Sequence, residues 1–91
     1  MKIGEHRTDA AILVELGQRL TAVRVARNLT QAQMAAAAGV SKRTVERIEA
    51  GEPAQLPSFV RLCRVLELTE RLDALVPQPP KLMDAALFQE A

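Results

Sequence analysis

The sequence has no Trp, no Tyr and only two Phe, so whatever core it forms must be aliphatic. It has a single cysteine, Cys63, and a single histidine, His6. That excludes an intrachain disulfide and leaves a thiolate or imidazole metal cluster without ligands, so no cofactor is expected. Cys63 stands among apolar residues at helical spacing and reads as a small core side chain. No glycine-rich phosphate loop is present, and the one histidine and one cysteine are far apart in sequence, so an enzyme is not expected. No apolar run reaches the roughly 18 residues needed to span a bilayer, and no secretory signal opens the chain; a cytoplasmic location is expected. Strong charge of either sign is missing too, since the formal net charge is +1.

What the 91 residues do contain, at 48% hydrophobic, is enough for one small domain with a core. A chain this short gains from burying apolar surface against a second copy, so a homodimer is expected. The distribution of charge says more than its sum. Residues 1–50 carry eight Lys or Arg against five Asp or Glu, whereas residues 51–91 carry four against six. Between Arg24 and Arg47 there are five basic residues and one acid, which concentrates a positive field on that segment.

The same segment holds the densest local signals. Thr30 caps a helix with Gln33 placed for a capping box, and Leu29 and Met34 can close a hydrophobic staple around it. Ser41 repeats the device eleven residues on, with Val40 and Val45 as the staple pair. Gly39 between them suits a left-handed residue that ends the first helix. The alanines 35–38 are good helix formers and small enough for close helix packing. Two helices joined by a tight turn make a helix-turn-helix unit. The second, Lys42 to Ala50, turns Val45, Ile48 and Glu49 one way and Arg43, Glu46 and Arg47 the other. A basic helix in isolation reads as a solvated face. Within this capped pair, Lys42, Arg43, Thr44 and Arg47 suit a major groove, where arginine forks onto guanine and lysine or threonine reaches a base or a phosphate.

Thr30-Gln31, Ala35, Gly39-Val40-Ser41, Val45, Ile48-Glu49 and Gly51 resemble the helix-turn-helix of the xenobiotic-response-element (XRE) family, which includes the lambdoid phage repressors and Cro proteins. The likeness runs from about Leu16 to Leu75. It implies an all-α, five-helix, lambda-repressor-like DNA-binding domain. It places Gln31 where family members touch a phosphate or base edge, and Lys42, Arg43 and Arg47 where they read bases, with Ser41 and Thr44 beside them near the phosphates. It also implies a buried structural ion pair between Arg24 and Glu49.

Around this unit, residues 1–8 are expected to be a loose N-terminus and residues 9–76 the DNA-binding domain. A first helix capped by Thr8 or Asp9 runs to about Asn28, with Leu13, Leu16, Leu20 and Val23 as its buried stripe. Asn28 closes it, because asparagine tolerates the left-handed region. Ile12 and Val14 lie off the stripe and face either a partner subunit or an enlarged core. A fourth helix from Leu56 to Leu66 accommodates Pro57 in its first turn and offers Leu56, Phe59, Val60, Cys63 and Leu66 as a core face. Arg61 and Arg64 lie outside, as a solvated face or as phosphate clamps. Glu67 falls where the family often has glycine, which predicts a different turn there. Thr69 caps a short fifth helix, with Leu72, Leu75 and Val76 closing the core. Pro77, Pro79 and Pro80 then open a Pro-rich extended tail, residues 77–91, in which Leu82, Met83, Ala86 and Leu87 share a helical face.

The function these features predict is a dimeric, sequence-specific double-stranded DNA-binding transcriptional regulator, an autorepressor reading an inverted repeat. A second possibility follows from the small size of the chain and its ending LTERLDALVPQPP, which are similar to antitoxins encoded beside HipA-type kinase toxins. That likeness implies a toxin protein partner as well as an operator, with the apolar tail as a candidate contact.

Overall fold

The computed structural model describes residues 1–80. They form five helices, α1 (Asp9–Ala26), α2 (Gln31–Ala38), α3 (Lys42–Glu49), α4 (Leu56–Val65) and α5 (Thr69–Leu75), and no strand occurs among the described residues. Three helices start on side-chain caps. Thr8 Oγ1 accepts from Ala11 N at 3.1 Å ahead of α1. The Thr30 and Gln33 box closes reciprocally at 3.0 and 2.9 Å ahead of α2. Ser41 Oγ accepts from Thr44 N at 3.1 Å ahead of α3. Thr69 does not cap α5: it is the first helical residue, and Leu68 precedes it without a side-chain cap.

One backbone device ends the first four helices. Asn28, Gly39, Gly51 and Glu67 all have positive φ, at 59°, 69°, 82° and 59°. In each case the next amide reaches back five residues to a carbonyl, as in Leu29 N to Arg24 O at 3.2 Å and Val40 N to Ala35 O at 3.1 Å. Glu52 N to Arg47 O at 3.0 Å and Leu68 N to Cys63 O at 2.8 Å complete the set. These are Schellman turns, which satisfy the carbonyls a helix end leaves free. Glu67 therefore makes the turn a glycine would make, contrary to the expected departure. Its backbone adopts the left-handed conformation while its carboxylate lies 3.2 Å from Arg27 on the neighbouring turn.

The core lies where α1, α2, α3 and α4 meet. Leu20, Met34, Ala35, Val45, Ile48, Leu62 and Leu66 are buried in one cluster, with Val23, Leu29, Val40 and Phe59 packed against it. Both expected staples thus contribute to the interior. The reading of α4 needs correcting, because its inward stripe is Phe59, Leu62, Cys63 and Leu66 at the three-four spacing of a single face. Leu62 is fully buried, whereas Leu56 at the first position of the helix is 72% exposed. Leu13 is also exposed and, with Leu56, lines a shallow apolar groove beside α1 instead of entering the core. Leu75 and Val76 do not close the core either, since α5 packs on α4 and leaves both more than two-thirds exposed.

Before α1, residues 1–8 contain no helix, and Met1 lies against the side of α1. The Met1 ammonium lies 3.1 Å from Glu15, and Arg19 donates to the Met1 carbonyl at 2.8 Å. The Met1 ammonium and Arg19, which donates to Glu15 at 3.0 Å, pull the Glu15 carboxyl below its ordinary pKa. Residues 77–80 after α5 are exposed and carry no regular structure. The apolar face of Leu82, Met83, Ala86 and Leu87 lies outside the described residues. Among those described, no helix is long and apolar enough to cross a membrane.

Candidate nucleic-acid interface

α3 is eight residues long and sharply two-faced. Val45 and Ile48 anchor one face in the core. On the other, Lys42, Arg43 and Arg47 are exposed, and among the described residues none of the three is paired with a carboxylate. Desolvating an unpaired cation against a phosphate or a base edge breaks no internal contact, so these charges are available to a ligand. Ser41 and Thr44 are less free. The Ser41 hydroxyl caps α3 and lies 2.9 Å from the Thr44 hydroxyl, and Thr44 is half-buried. Beyond Arg47 the surface continues into a polar hollow lined by Thr44, Arg47, Pro53, Gln55 and Ser58. Sequence patterning missed Gln55 and Ser58. The available signal was the start of α4, where Gln55 makes no side-chain cap and Pro57 supplies no amide.

The far end of α3 is fixed by charge. Arg24 of α1 grips Glu49 with two hydrogen bonds, Nε to Oε2 at 2.6 Å and Nη2 to Oε1 at 3.0 Å, and its third arm donates to the Leu29 carbonyl at 2.8 Å. Side-chain exposure is 11% for Arg24 and 5% for Glu49, so this forked pair is shielded from solvent. Gln31 joins it, donating from its amide nitrogen to Glu49 Oε1 at 3.0 Å. The structure therefore brings Arg24, Gln31 and Glu49 into one network that ties α1, α2 and α3 together. It sets Gln31 apart from the exposed cations. Burial alone would raise the Glu49 pKa, but the hydrogen bonds from Arg24 and Gln31 and the Arg24 charge outweigh it and hold the carboxyl below its ordinary value. The Glu49 carboxylate in turn raises the Arg24 pKa.

Cys63 is a buried free cysteine, and burial pushes its thiol pKa up. Among the described residues, no three His, Cys, Asp or Glu side chains gather closely enough to hold a metal ion.

A capped helix pair with an unpaired cationic outer face, carried on a five-helix frame, defines a helix-turn-helix DNA-binding protein. Residues 15–75 match the family model described as "Helix-turn-helix domain", and the chain belongs to that family, in its XRE-like form. Its structure is similar to the restriction-modification controller protein C.AhdI from Aeromonas hydrophila, with a TM-score of 0.62 and 32% sequence identity over 67% of this chain and 94% of that one. No curated protein matches the sequence significantly. The family and this likeness make the chain a DNA-binding transcriptional regulator.

Proposed function

We propose that the protein is a sequence-specific repressor of its own operon, acting as a homodimer on an inverted repeat in double-stranded DNA. The observation that carries this reading is the state of α3. Its Lys42, Arg43 and Arg47 are exposed without carboxylate partners, while its opposite face and far end are held by the core and by Arg24. In the proposed complex Arg43 and Arg47 read base edges in the major groove, and Lys42 reaches a base or a neighbouring phosphate. Ser41 and Thr44 lie along the phosphates. Gln31 has its side chain engaged with Glu49, so it serves a phosphate through the backbone amide it presents at the start of α2. Two copies related by a two-fold axis set their α3 helices in successive major grooves about 34 Å apart. The exposed Leu75 and Val76 offer apolar surface for such pairing. Control of transcription from a neighbouring promoter also fits the likeness to a restriction-modification controller protein.

The antitoxin reading, with a HipA-like kinase as partner, draws on the ending of the domain and on residues beyond Pro80. No structural observation favours it over the repressor.

The test is a footprint on the DNA upstream of the protein's own gene, with the double variant Arg43→Ala/Arg47→Ala as control. The wild type is expected to protect two half-sites one helical turn apart. The double variant is expected to lose specific protection while keeping its melting temperature within a few degrees, because both side chains are exposed. Unchanged protection by the variant would reject the assignment of α3.

A further inference from the structure

α1 crosses the C-terminal end of α3 with no side chain between them. Gly17 is buried at the crossing, and a Cβ there would lie 2.4 Å from the Glu49 carbonyl oxygen and 2.7 Å from that of Ile48. Those are backbone atoms of α3, so no change of rotamer relieves the overlap and one helix must move. Three residues earlier on α1, Val14 meets the turn that ends α3. A Cβ on Gly51 would lie 2.6 Å from Val14 Cα, and Gly51 is left-handed at φ 82°. Two turns in the other direction along α1 stands Arg24, holding Glu49. The last turn of α3 is thus pinned to α1 by backbone contact at Val14 and Gly17 and by charge at Arg24.

Lys42 and Arg43 stand at the opposite end of this short rigid rod from the pinned turn, which carries Arg47. From Glu49 back to Arg43 is about 9 Å at 1.5 Å per residue, so a tilt of roughly 10° at the crossing moves the Arg43 end by about 1.5 Å. Hydrogen bonds to base edges do not survive such a displacement, whereas long-range attraction to phosphates does.

We propose that Gly17 is a specificity-determining positioning residue, whose missing side chain sets the angle at which α3 presents Lys42 and Arg43 to the bases. This rests on the reading that α3 enters the major groove. Gly17 touches no DNA itself. Its effect is to distinguish one duplex sequence from another while leaving general affinity for DNA intact.

The test compares wild type, Gly17→Ala, Val14→Ala and Leu62→Val on two duplexes, one selected from a randomised pool by the wild-type protein and one with the same bases scrambled. Binding is measured at a temperature where circular dichroism shows full folding. Gly17→Ala is expected to lose roughly tenfold on the selected duplex, the scale of one forked base contact, and less than twofold on the scrambled one. Leu62→Val destabilises the core away from the crossing, and it is expected to keep the wild-type ratio between the two duplexes. A folded Gly17→Ala protein with an unchanged ratio overturns the proposal. So does an equal loss of ratio in Leu62→Val, which would mark the effect as one of general stability. Should Gly17→Ala not fold, Val14→Ala decides: it removes the Cγ2 methyl that lies over Gly51 and so loosens the same crossing without adding an atom, and a ratio lowered about threefold supports the proposal while an unchanged one overturns it. If the wild type selects no sequence from the pool, it is the reading of α3 that fails, a result distinct from any of these.

Discussion

At the scale of single residues, the Arg24 and Glu49 pair is shielded from solvent and, with Gln31, joins three helices. Replacing Arg24 with methionine keeps the length and apolar stem of the side chain but leaves the Glu49 carboxylate without its cation. Breaking a buried pair in this way costs about 3 to 5 kcal/mol. The sign of the pH dependence follows from the direction of the Glu49 shift. In the wild type the folded-state pKa lies below the ordinary value of 4.5, so the pair's contribution is complete above that value and declines as pH falls through the folded one. In Arg24→Met the direction reverses, because burial without a cation favours the neutral acid. The gap in melting temperature between the two proteins is therefore expected to be largest at pH 7 and to narrow at pH 4. Glu15, the other carboxylate with a lowered pKa, is common to both proteins and drops out of the comparison. A gap that is constant with pH would mean that Arg24 acts by packing alone.

At the scale of elements, four helices end on the same turn, yet only two of those turns use glycine. Glu67 bears the cost of a left-handed side chain, about 1 kcal/mol, and its pairing with Arg27 is an exposed contact of little worth. Glu67→Gly is accordingly expected to raise stability by about 0.5 to 1 kcal/mol in urea unfolding, with no effect on DNA binding. Gly39→Ala is expected to do the opposite by a similar amount. Nothing lies within 4 Å of the added carbon, so its whole cost is conformational. These ends show what could be read in the sequence. Thr30, Gln33, Gly39 and Ser41 were legible because capping is local: the side chain meets its backbone partner within three residues. The pair Arg24 and Glu49 was legible only through a family resemblance, since 25 residues separate its members. Gly17 gave no signal at all, because its need to be bare comes from the backbone of a helix more than 30 residues later. The inward face of α4 was misread for a related reason. Leu56, Val60 and Leu62 are equally apolar, and α4's packing on α2 decides which of them is buried.

For the whole molecule, a net charge of +1 gives little general attraction to DNA, so affinity must come from how the charges are arranged. At physiological salt, fields reach only about 8 Å, so charges farther away than that add little to the field at α3. Two copies would present six cations from Lys42, Arg43 and Arg47. If these displace counterions from on the order of six phosphates, log K against log salt has a slope of about −5. Arg43→Ala/Arg47→Ala removes four of the six and is expected to bring the slope on a scrambled duplex to about −2. Substituting Arg61 and Arg64, exposed on α4, with alanine is expected to leave it unchanged, as for a solvated face and not a phosphate clamp. Titrating each protein on the scrambled duplex from 50 to 200 mM salt separates the two cases, since a slope that falls equally for both pairs would place DNA binding in the overall charge and not on α3.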